Sequence, residues 1–343
     1  MALWAPATAV SVIVPTYNRA GTIGRCLTAL RAQDFGRPFE IVVVNDGSTD
    51  STLEVLAGFP EVRVLTQANA GPAVARNHGV RAATGEIVLF TDDDCEPFPN
   101  WLTEMLKPFD DPAVVGTKGV YRSRQRELVA RFVQIEYEDR YRLMARQPTI
   151  DFIDTYSAAF RRARFLELGG YDTAFPVACC EDSELSYRMS ARGWKMIFAP
   201  SAIVWHQHPA SLANYLRRKF KFAVWRVLAV KKNPAKALKD SHTPQLMKLQ
   251  MLLAPALAGA VLCDLRLGWS VVPSSLLVVT LFLLSAAPFA LRALSKDLGA
   301  GMASPLILAA RAGTQLAGVI AGSYKAFLDP PTRMAESAPI TKS

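Results

Sequence analysis

Cysteine is scarce in this 343-residue chain, and its five copies follow no regular spacing. An odd number of cysteines at such distances matches neither a disulfide framework nor a zinc site. A reducing compartment is therefore the simpler interpretation. We interpret the adjacent pair Cys179 and Cys180 as packing residues without chemistry of their own. The other three cysteines are Cys26, Cys95 and Cys263.

Positive charge is missing from the first 18 residues, which contain no Lys or Arg. A secretory signal peptide needs a basic region before its apolar stretch, so this segment does not resemble one. Its apolar run, residues 10–14, predicts a first β-strand instead.

Negative charge is rare between residues 211 and 248, where Asp240 is the one acid beside ten Lys and Arg. The net charge is −6 over residues 1–115, +12 over 116–250 and +3 over 251–343. An acidic first part suits metal binding, and a basic middle suits phosphate-bearing ligands or anionic lipid. Nucleic acid is the other explanation, but no nucleic-acid-binding motif accompanies the charge, so we expect no such partner.

Charge of either sign disappears over long stretches of the last third. Residues 269–291 form an uncharged run of 23, which reaches the width of a bilayer and predicts a transmembrane helix. Residues 249–263 form a shorter uncharged run of 15, which either spans the bilayer or enters and leaves it on the same side. Residues 298–324, interrupted by Arg311, either span, with Arg311 facing protein or headgroups, or lie in the interface.

A buried soluble hairpin is the alternative to membrane helices. Pro273, Pro288 and the absence of polar faces count against it. The polybasic stretch in front of these segments favours attachment to the cell inner membrane with the remaining domain in the cytoplasm.

Short apolar runs alternate with segments of helical spacing between residues 10 and 91. This alternation implies right-handed crossovers and a mostly parallel sheet in a three-layer α/β fold. The predicted strands are residues 10–14, 41–44, 62–65 and 86–91, and the predicted helices are residues 22–33, 51–56 and 72–83.

Polar motifs follow three of these strands: residues 16–18, residues 45–47 and the triplet Asp92, Asp93 and Asp94. Ligands of such sheets bind beyond the carboxyl ends of the strands, so the three motifs predict one site. Asp92 and Asp94, alternating along an extended backbone, would direct two oxygens at one Mg²⁺ or Mn²⁺ ion. A solvated acidic loop or a helix cap is the alternative.

Two further motifs lie downstream. Asp182 follows Glu181 at the start of a predicted helix, where the dipole favours an anion, and it is either a functional acid or an N-cap. His206 and His208 are spaced to face the same way on extended backbone, as site residues or as a surface pair before a turn.

The ordered motifs resemble the family 2 glycosyltransferases of the GT-A fold over roughly residues 10–216. The matching segments are Val14 to Asn18, Asn45 to Asp50, Asn69 to Pro72 with Ala75 to Asn77, Phe90 to Asp94, and Glu181 with Asp182. The resemblance implies a nucleotide-sugar donor, a divalent metal (Mg²⁺ or Mn²⁺) and inversion at the anomeric carbon. The Gln-x-x-Arg-Trp signature of processive synthases is absent, which disfavours a polymerase.

Carried over residue by residue, the resemblance implies Asp182 as the catalytic base, with Glu181 as the next candidate. It implies Asp94 and His206 as metal ligands, and a uridine nucleotide whose base edge is bound by Asp46. The donor-binding residues implied are Pro15, Thr16, Tyr17, Asn18, Asp46, Asn69, Gly71, Arg76, Asp92 and Asp93.

We therefore expect a GT-A catalytic domain over residues 1–240, membrane helices over 241–330 and a tail over 331–343. The expected acceptor is a lipid-linked saccharide or a polyprenyl phosphate at the cytoplasmic membrane face. The alternatives are a soluble or peptide-derived acceptor, or a non-catalytic protein that binds sugar nucleotides. A basic and aromatic insert over residues 119–155 is expected to contain a helix on the acceptor side.

Overall fold

The computed structural model describes residues 9–175, 179–236, 240–267 and 273–328. The expected tail over 331–343 and the first residues of the 269–291 segment lie outside these ranges. The strands are β1 (Val10–Thr16), β2 (Glu40–Asn45), β3 (Arg63–Thr66), β4 (Ile87–Phe90), β5 (Glu96–Pro97), β6 (Val114–Arg122), β7 (Ala158–Arg161) and β8 (Lys195–Trp205). The helices are α1 (Ile23–Arg31), α2 (Thr52–Ala57), α3 (Pro72–Ala82), α4 (Trp101–Leu106), α5 (Leu128–Met144), α6 (Arg162–Glu167), α7 (Glu181–Ala191), α8 (Leu212–Lys232), α9 (Gln245–Leu267), α10 (Ser274–Leu294) and α11 (Leu298–Leu328).

The strands of the described residues form one sheet in the order β3-β2-β1-β4-β7-β6-β8-β5. The first four strands are parallel neighbours, as the alternation of strands and helices predicted, and β6 and β8 are parallel too. Strand β7 runs antiparallel between β4 and β6, and β5 runs antiparallel to β8. The prediction of a mostly parallel α/β sheet is confirmed.

Helices cover both faces of the sheet because successive strand residues point to opposite sides. Val12 and Val14 pack into a cluster that includes Trp101 of α4, whereas Ile13 packs with Val80 of α3 on the other face. The apolar side of α1 is buried as its helical spacing predicted. This packing fixes the carboxyl ends of β1, β2 and β4 along one edge.

Three C-terminal helices, α9, α10 and α11, are long and apolar enough to cross a membrane. Helix α9 begins before and ends after the uncharged run that predicted it, so it reaches spanning length. Large apolar side chains face outward, among them Leu252 and Leu284, which are 67% and 64% exposed. An outward apolar surface on helices of this length fits membrane attachment.

Helix α11 continues through Arg311, which faces protein. Arg311 is 5% exposed and donates to Glu136 of α5 at 2.7 Å and to Gln250 of α9 at 2.7 Å. Glu136 also accepts from Lys219 of α8 at 2.7 Å. The 119–155 insert thus contains the expected helix, α5, and that helix joins the catalytic region to the C-terminal helices. The domain boundary near residue 240 stays a prediction.

Candidate active site

The acidic triplet lies in a tight turn directly after β4. The amide of Cys95 donates to the carbonyl of Asp92 at 3.0 Å, which closes the turn. The three carboxylates therefore point to different partners: Asp92 accepts from Arg76 at 2.8 Å, and Asp93 lies 3.5 Å from Nε of Arg19. The expectation that Asp92 and Asp94 alternate on extended backbone is wrong, because the chain turns where extended geometry was assumed.

Asp94 meets His206 instead of Asp92. The His206 Nε2 lies 3.4 Å from Oδ1 of Asp94, and ligand atoms of Asp94, Cys95 and His206 all lie within 4.8 Å of one another. The pairing of Glu96 with Trp205 between β5 and β8 produces this contact across more than a hundred residues of sequence.

The donor set suits a divalent ion. Burial lowers the pKa of His206, which keeps its imidazole neutral and able to bind a metal. Its Nδ1 is buried without a hydrogen-bond partner among the described residues. Burial raises the pKa of Cys95, so this residue stays a thiol, and hard ions such as Mg²⁺ and Mn²⁺ prefer carboxylate and imidazole ligands to sulfur. Asp94 and His206 are thus the pair that fits the ion.

Asp93 is buried beside this group. Burial raises its pKa to about 7, and the neighbouring carboxylates of Asp94 and Asp92 act in the same direction. Such a cluster is stabilised by a cation, which agrees with a metal in front of the turn.

The loops after β1 and β2 form a second wall of the site. Asp46 is 4% exposed, and its Oδ1 accepts from Gln67 and from the amide of Ala70, while Oδ2 accepts from the amide of Gly71. Gly71 has φ +91°, a conformation that glycine adopts without strain, and it precedes Pro72 at the start of α3. Asp46 thus shapes the loop that contains Asn69 and Gly71.

The β1 loop is held by Asn18. Its Oδ1 accepts from the amides of Thr49 at 2.7 Å and Asp50 at 3.3 Å, and its own φ is +54°. Pro15 and Thr16 are buried in β1, whereas Tyr17 is 46% exposed and free to contact a ligand. The structure therefore places the predicted donor residues along one continuous edge.

Arg76 connects this edge to the start of α7. It is 3% exposed, and its two terminal nitrogens donate to Asp92 at 2.8 Å and to Oε1 of Glu181 at 3.0 Å. Oε2 of Glu181 accepts from the amide of Cys179 at 2.6 Å. Both carboxylate oxygens of Glu181 thus accept hydrogen bonds, which hold this side chain at the start of α7.

Asp182 borders a cavity at the start of α7. Its Oδ1 accepts from the amide of Ser183 at 2.6 Å, and no described residue donates to Oδ2. Burial raises the pKa of Asp182 to about 8, with the charge of Glu181 as the next cause. A carboxylate with a free oxygen and a raised pKa has the properties of a general base.

His208 does not join Asp94 as His206 does. Its Nε2 lies 3.0 Å from Oε1 of Gln134 instead.

The sequence did not identify the residues that surround Asp182. The cavity beside Asp182 is lined by Asp154 and by basic residues of α8, whose charge the sequence linked to phosphate-bearing ligands or anionic lipid without placing it beside Asp182. The recurrence of Arg218, Phe222 and Arg226 at intervals of four was the signal that one helical face carries them.

Comparisons with known proteins agree with this geometry. Residues 11–169 match the model of Glycosyl transferase family 2. The chain is 28% identical to the pre-mycofactocin glycosyltransferase of Mycobacterium tuberculosis (strain ATCC 25618 / H37Rv) over 61% of this chain and 45% of that protein. It is 26% identical to the poly-beta-1,6-N-acetyl-D-glucosamine synthase of Staphylococcus aureus (strain MW2) over 62% of this chain and 53% of that protein. The chain spans about half the length of these curated relatives.

A solved structure shares the fold. The mannosyltransferase PcManGT from Pyrobaculum calidifontis, in complex with GDP-Man and Mn2+, matches with a TM-score of 0.64 at 23% identity, over 92% of this chain and 87% of that chain. The match extends through the C-terminal helices as well as the sheet.

Proposed function

We propose that this chain, whose residues 11–169 match the Glycosyl transferase family 2 model and whose fold is GT-A-like, transfers a sugar, with inversion, from a nucleotide sugar to an acceptor at the cytoplasmic face of the inner membrane. The observation that carries the proposal is the bridge made by Arg76. It joins Asp92, on the metal-binding turn, to Glu181, next to the proposed base Asp182. Donor side and acceptor side are thereby held at one edge of the sheet.

The donor would bind along the loops after β1, β2 and β4. Asp94 and His206 would hold Mg²⁺ or Mn²⁺, which supplies charge neutralisation for the departing diphosphate. The solved neighbour in complex with GDP-Man and Mn2+ supports a nucleotide-sugar donor and a divalent ion. We favour a uridine donor, because the three hydrogen bonds that Asp46 accepts leave one acceptor position for the single N–H of a uracil edge.

Asp182 would remove the proton of an acceptor hydroxyl. The hydroxyl oxygen attacks the anomeric carbon as the bond from that carbon to the donor diphosphate breaks, and the electron pair leaves with the diphosphate. A carboxylate on the side opposite the leaving group suits an oxocarbenium-like transition state and inversion. Arg76 and Glu181 hold the start of α7, so Oδ2 of Asp182 keeps its direction.

The acceptor we propose is a lipid-linked saccharide or a polyprenyl phosphate, because three apolar helices adjoin the catalytic domain. A soluble or peptide-derived acceptor is the second candidate, for which these helices serve only as an anchor. A non-catalytic protein is disfavoured, since Asp92, Asp94 and Asp182 are retained in an organised site.

Donor turnover by the full-length protein in detergent is the test. Each of a panel of UDP- and GDP-sugars is incubated with and without Mn²⁺, and release of the nucleotide diphosphate is measured. Metal-dependent release from at least one donor supports the function, and no release from any donor contradicts it.

A further inference from the structure

A cavity of about 540 Å³ lies between the proposed catalytic residues and the C-terminal helices. Asp92 and Asp182 line one side, and Met251 of α9 and Val319 of α11 line another. None of the proposed base and ribose contacts in residues 15–18, nor Asp46, lines it. Asp92 is the one proposed donor-binding residue in this lining, so the cavity extends from the edge of the donor site to the acceptor side.

The α8 wall of this cavity is basic. Lys219 pairs with Glu136 at 2.7 Å, and Arg226 pairs with Asp240, so both have protein counter-charges. Arg218 also lines the cavity, yet it makes no ion pair or hydrogen bond with any residue in the described ranges. An unpaired guanidinium here is available to an anionic ligand.

Part of the remaining lining is apolar and comprises Phe222, Val227, Val230, Met247, Met251 and Val319. Polar residues of the same helices, Lys248, Gln315 and Ser323, line the cavity beside them. Met247 and Met251 lie on α9 and Val319 on α11, both of which are long and apolar enough to enter a bilayer. A soluble sugar or peptide acceptor would leave this apolar surface without a partner, whereas a hydrocarbon chain would bury it.

We propose that this cavity is the acceptor site and that the acceptor is a lipid phosphate. Its phosphate lies by Arg218, and its hydrocarbon chain passes between α9 and α11. This inference rests on the proposed glycosyl transfer and assigns its lipid-bearing acceptor to this cavity, with Arg218 as the phosphate contact.

Two acceptors share this chemistry. In a lipid monophosphate, a phosphate oxygen attacks the anomeric carbon while the carbon–oxygen bond to the donor diphosphate breaks. A phosphate monoester is largely dianionic at pH 7, so no proton has to be removed. In a lipid-diphosphate saccharide, a sugar hydroxyl attacks in the same way and its proton passes to Asp182. The role of Asp182 therefore separates the two acceptors.

Substitution of Arg218 tests the phosphate contact. Full-length Arg218→Gln is compared with Arg217→Gln, which alters an exposed neighbour that donates to Asn214 at 2.8 Å and does not line the cavity. With farnesyl phosphate or farnesyl-diphosphate-GlcNAc as the probe, we expect the KM for the probe to rise about tenfold in Arg218→Gln alone, as for loss of one charged hydrogen bond. Donor Kd should stay within about twofold, because the donor loops are untouched. An unchanged KM for both probes overturns the proposal, as does loss of donor binding.

Substitution of Met251 tests the chain-binding part. Met251→Trp narrows the cavity, whereas Leu252→Trp places the same ring on the outer face of α9, where Leu252 is 67% exposed. Binding of farnesyl phosphate should weaken in Met251→Trp alone, while inhibition by inorganic phosphate should be equal in both variants. Equal binding of the farnesyl probes by both variants contradicts the proposal.

The two probes and the donor assay separate failure of the acceptor inference from failure of the proposed transferase function. Asp182→Asn should retain transfer to farnesyl phosphate if a monophosphate is the acceptor, and lose transfer to farnesyl-diphosphate-GlcNAc if a saccharide hydroxyl is the nucleophile. If the wild-type protein hydrolyses donor but neither probe binds, the acceptor inference fails and the proposed transferase function stands. If no donor is hydrolysed, the proposed function itself fails.

Discussion

The proposed metal dependence rests on the contact between Asp94 and His206. Asp94→Asn keeps the size of the side chain but removes a charged ligand, so we expect turnover to fall more than about a hundredfold, beyond the effect of losing a residue that only supports a ligand. The exposed Asp110→Asn is the matched control and should leave turnover unchanged. Donor turnover is measured with Mn²⁺ and again in EDTA. Equal activity of Asp94→Asn and wild type, or full activity in EDTA, contradicts the metal site.

Asp182 is predicted to set the pH dependence of transfer to a hydroxyl acceptor. Burial raises its pKa to about 8, so the carboxylate is mostly protonated below pH 8 and gains its base form as the pH rises. The value of kcat/KM should therefore increase about tenfold per pH unit up to pH 8 and then level off. Asp182→Asn should lower kcat by about 10²–10⁴-fold, remove this rise and leave donor Kd unchanged. A normal kcat, or equal losses in kcat and donor affinity, would show that Asp182 is not the base.

We expect Asp46 to favour a uridine nucleotide. A carboxylate has about four acceptor positions, and three are taken by Gln67 and the amides of Ala70 and Gly71. The remaining position matches the single N–H of uracil, whereas guanine presents an N–H and an amino group together. Calorimetry with Mn²⁺ should give a lower Kd for UDP than for GDP, and Asp46→Asn should reduce the difference. Tighter binding of GDP by the wild-type protein would reverse the assignment.

At the scale of helices and strands, α5 and α11 are joined by a buried ion pair. Removing Arg311 leaves Glu136 with fewer donors, so Arg311→Met should cost about 2 kcal/mol of stability, the range for a hydrogen bond to a charged group. The thermal midpoint in detergent measures this loss. The control is Arg126→Met, which removes the same single positive charge from an exposed position. Equal midpoints for the two variants would mean that the pair contributes nothing to the junction.

The elements differ in how far the sequence predicts them. Strands β1, β2 and β4 follow from apolar runs, and their carboxyl ends follow from parallel pairing, so the edge that gathers Asn18, Asp46 and Asp92 was predictable. The turn at the triplet was not, because its closing hydrogen bond depends on local backbone conformation. The bridge from Arg76 to Glu181 joins residues 105 positions apart and depends on packing of the whole domain. No local pattern contains that information.

At the scale of the whole molecule, the acidic part of the chain, the basic part and the apolar helices lie next to one another around the proposed site. The acidic first part supplies the turn proposed to bind the metal, and the basic α8 lies between this turn and the C-terminal helices. Sequence composition predicted a basic region next to apolar membrane segments. The structure confirms that these segments form helices long and apolar enough to cross a membrane. Composition could not predict that α8, α9 and α11 would enclose a cavity, because the cavity depends on how helices distant in sequence pack together.

Transfer of labelled sugar into lipid is the most direct measurement of the proposed function. The full-length protein in nanodiscs is incubated with a labelled UDP-sugar, Mn²⁺ and farnesyl phosphate or farnesyl-diphosphate-GlcNAc, and the label is partitioned between organic solvent and water. We predict lipid-extractable label that requires Mn²⁺, disappears in Asp94→Asn and carries the anomeric configuration opposite to that of the donor. Label that enters only water-soluble products, or a lipid product that retains the donor configuration, would contradict an inverting transferase with a lipid acceptor.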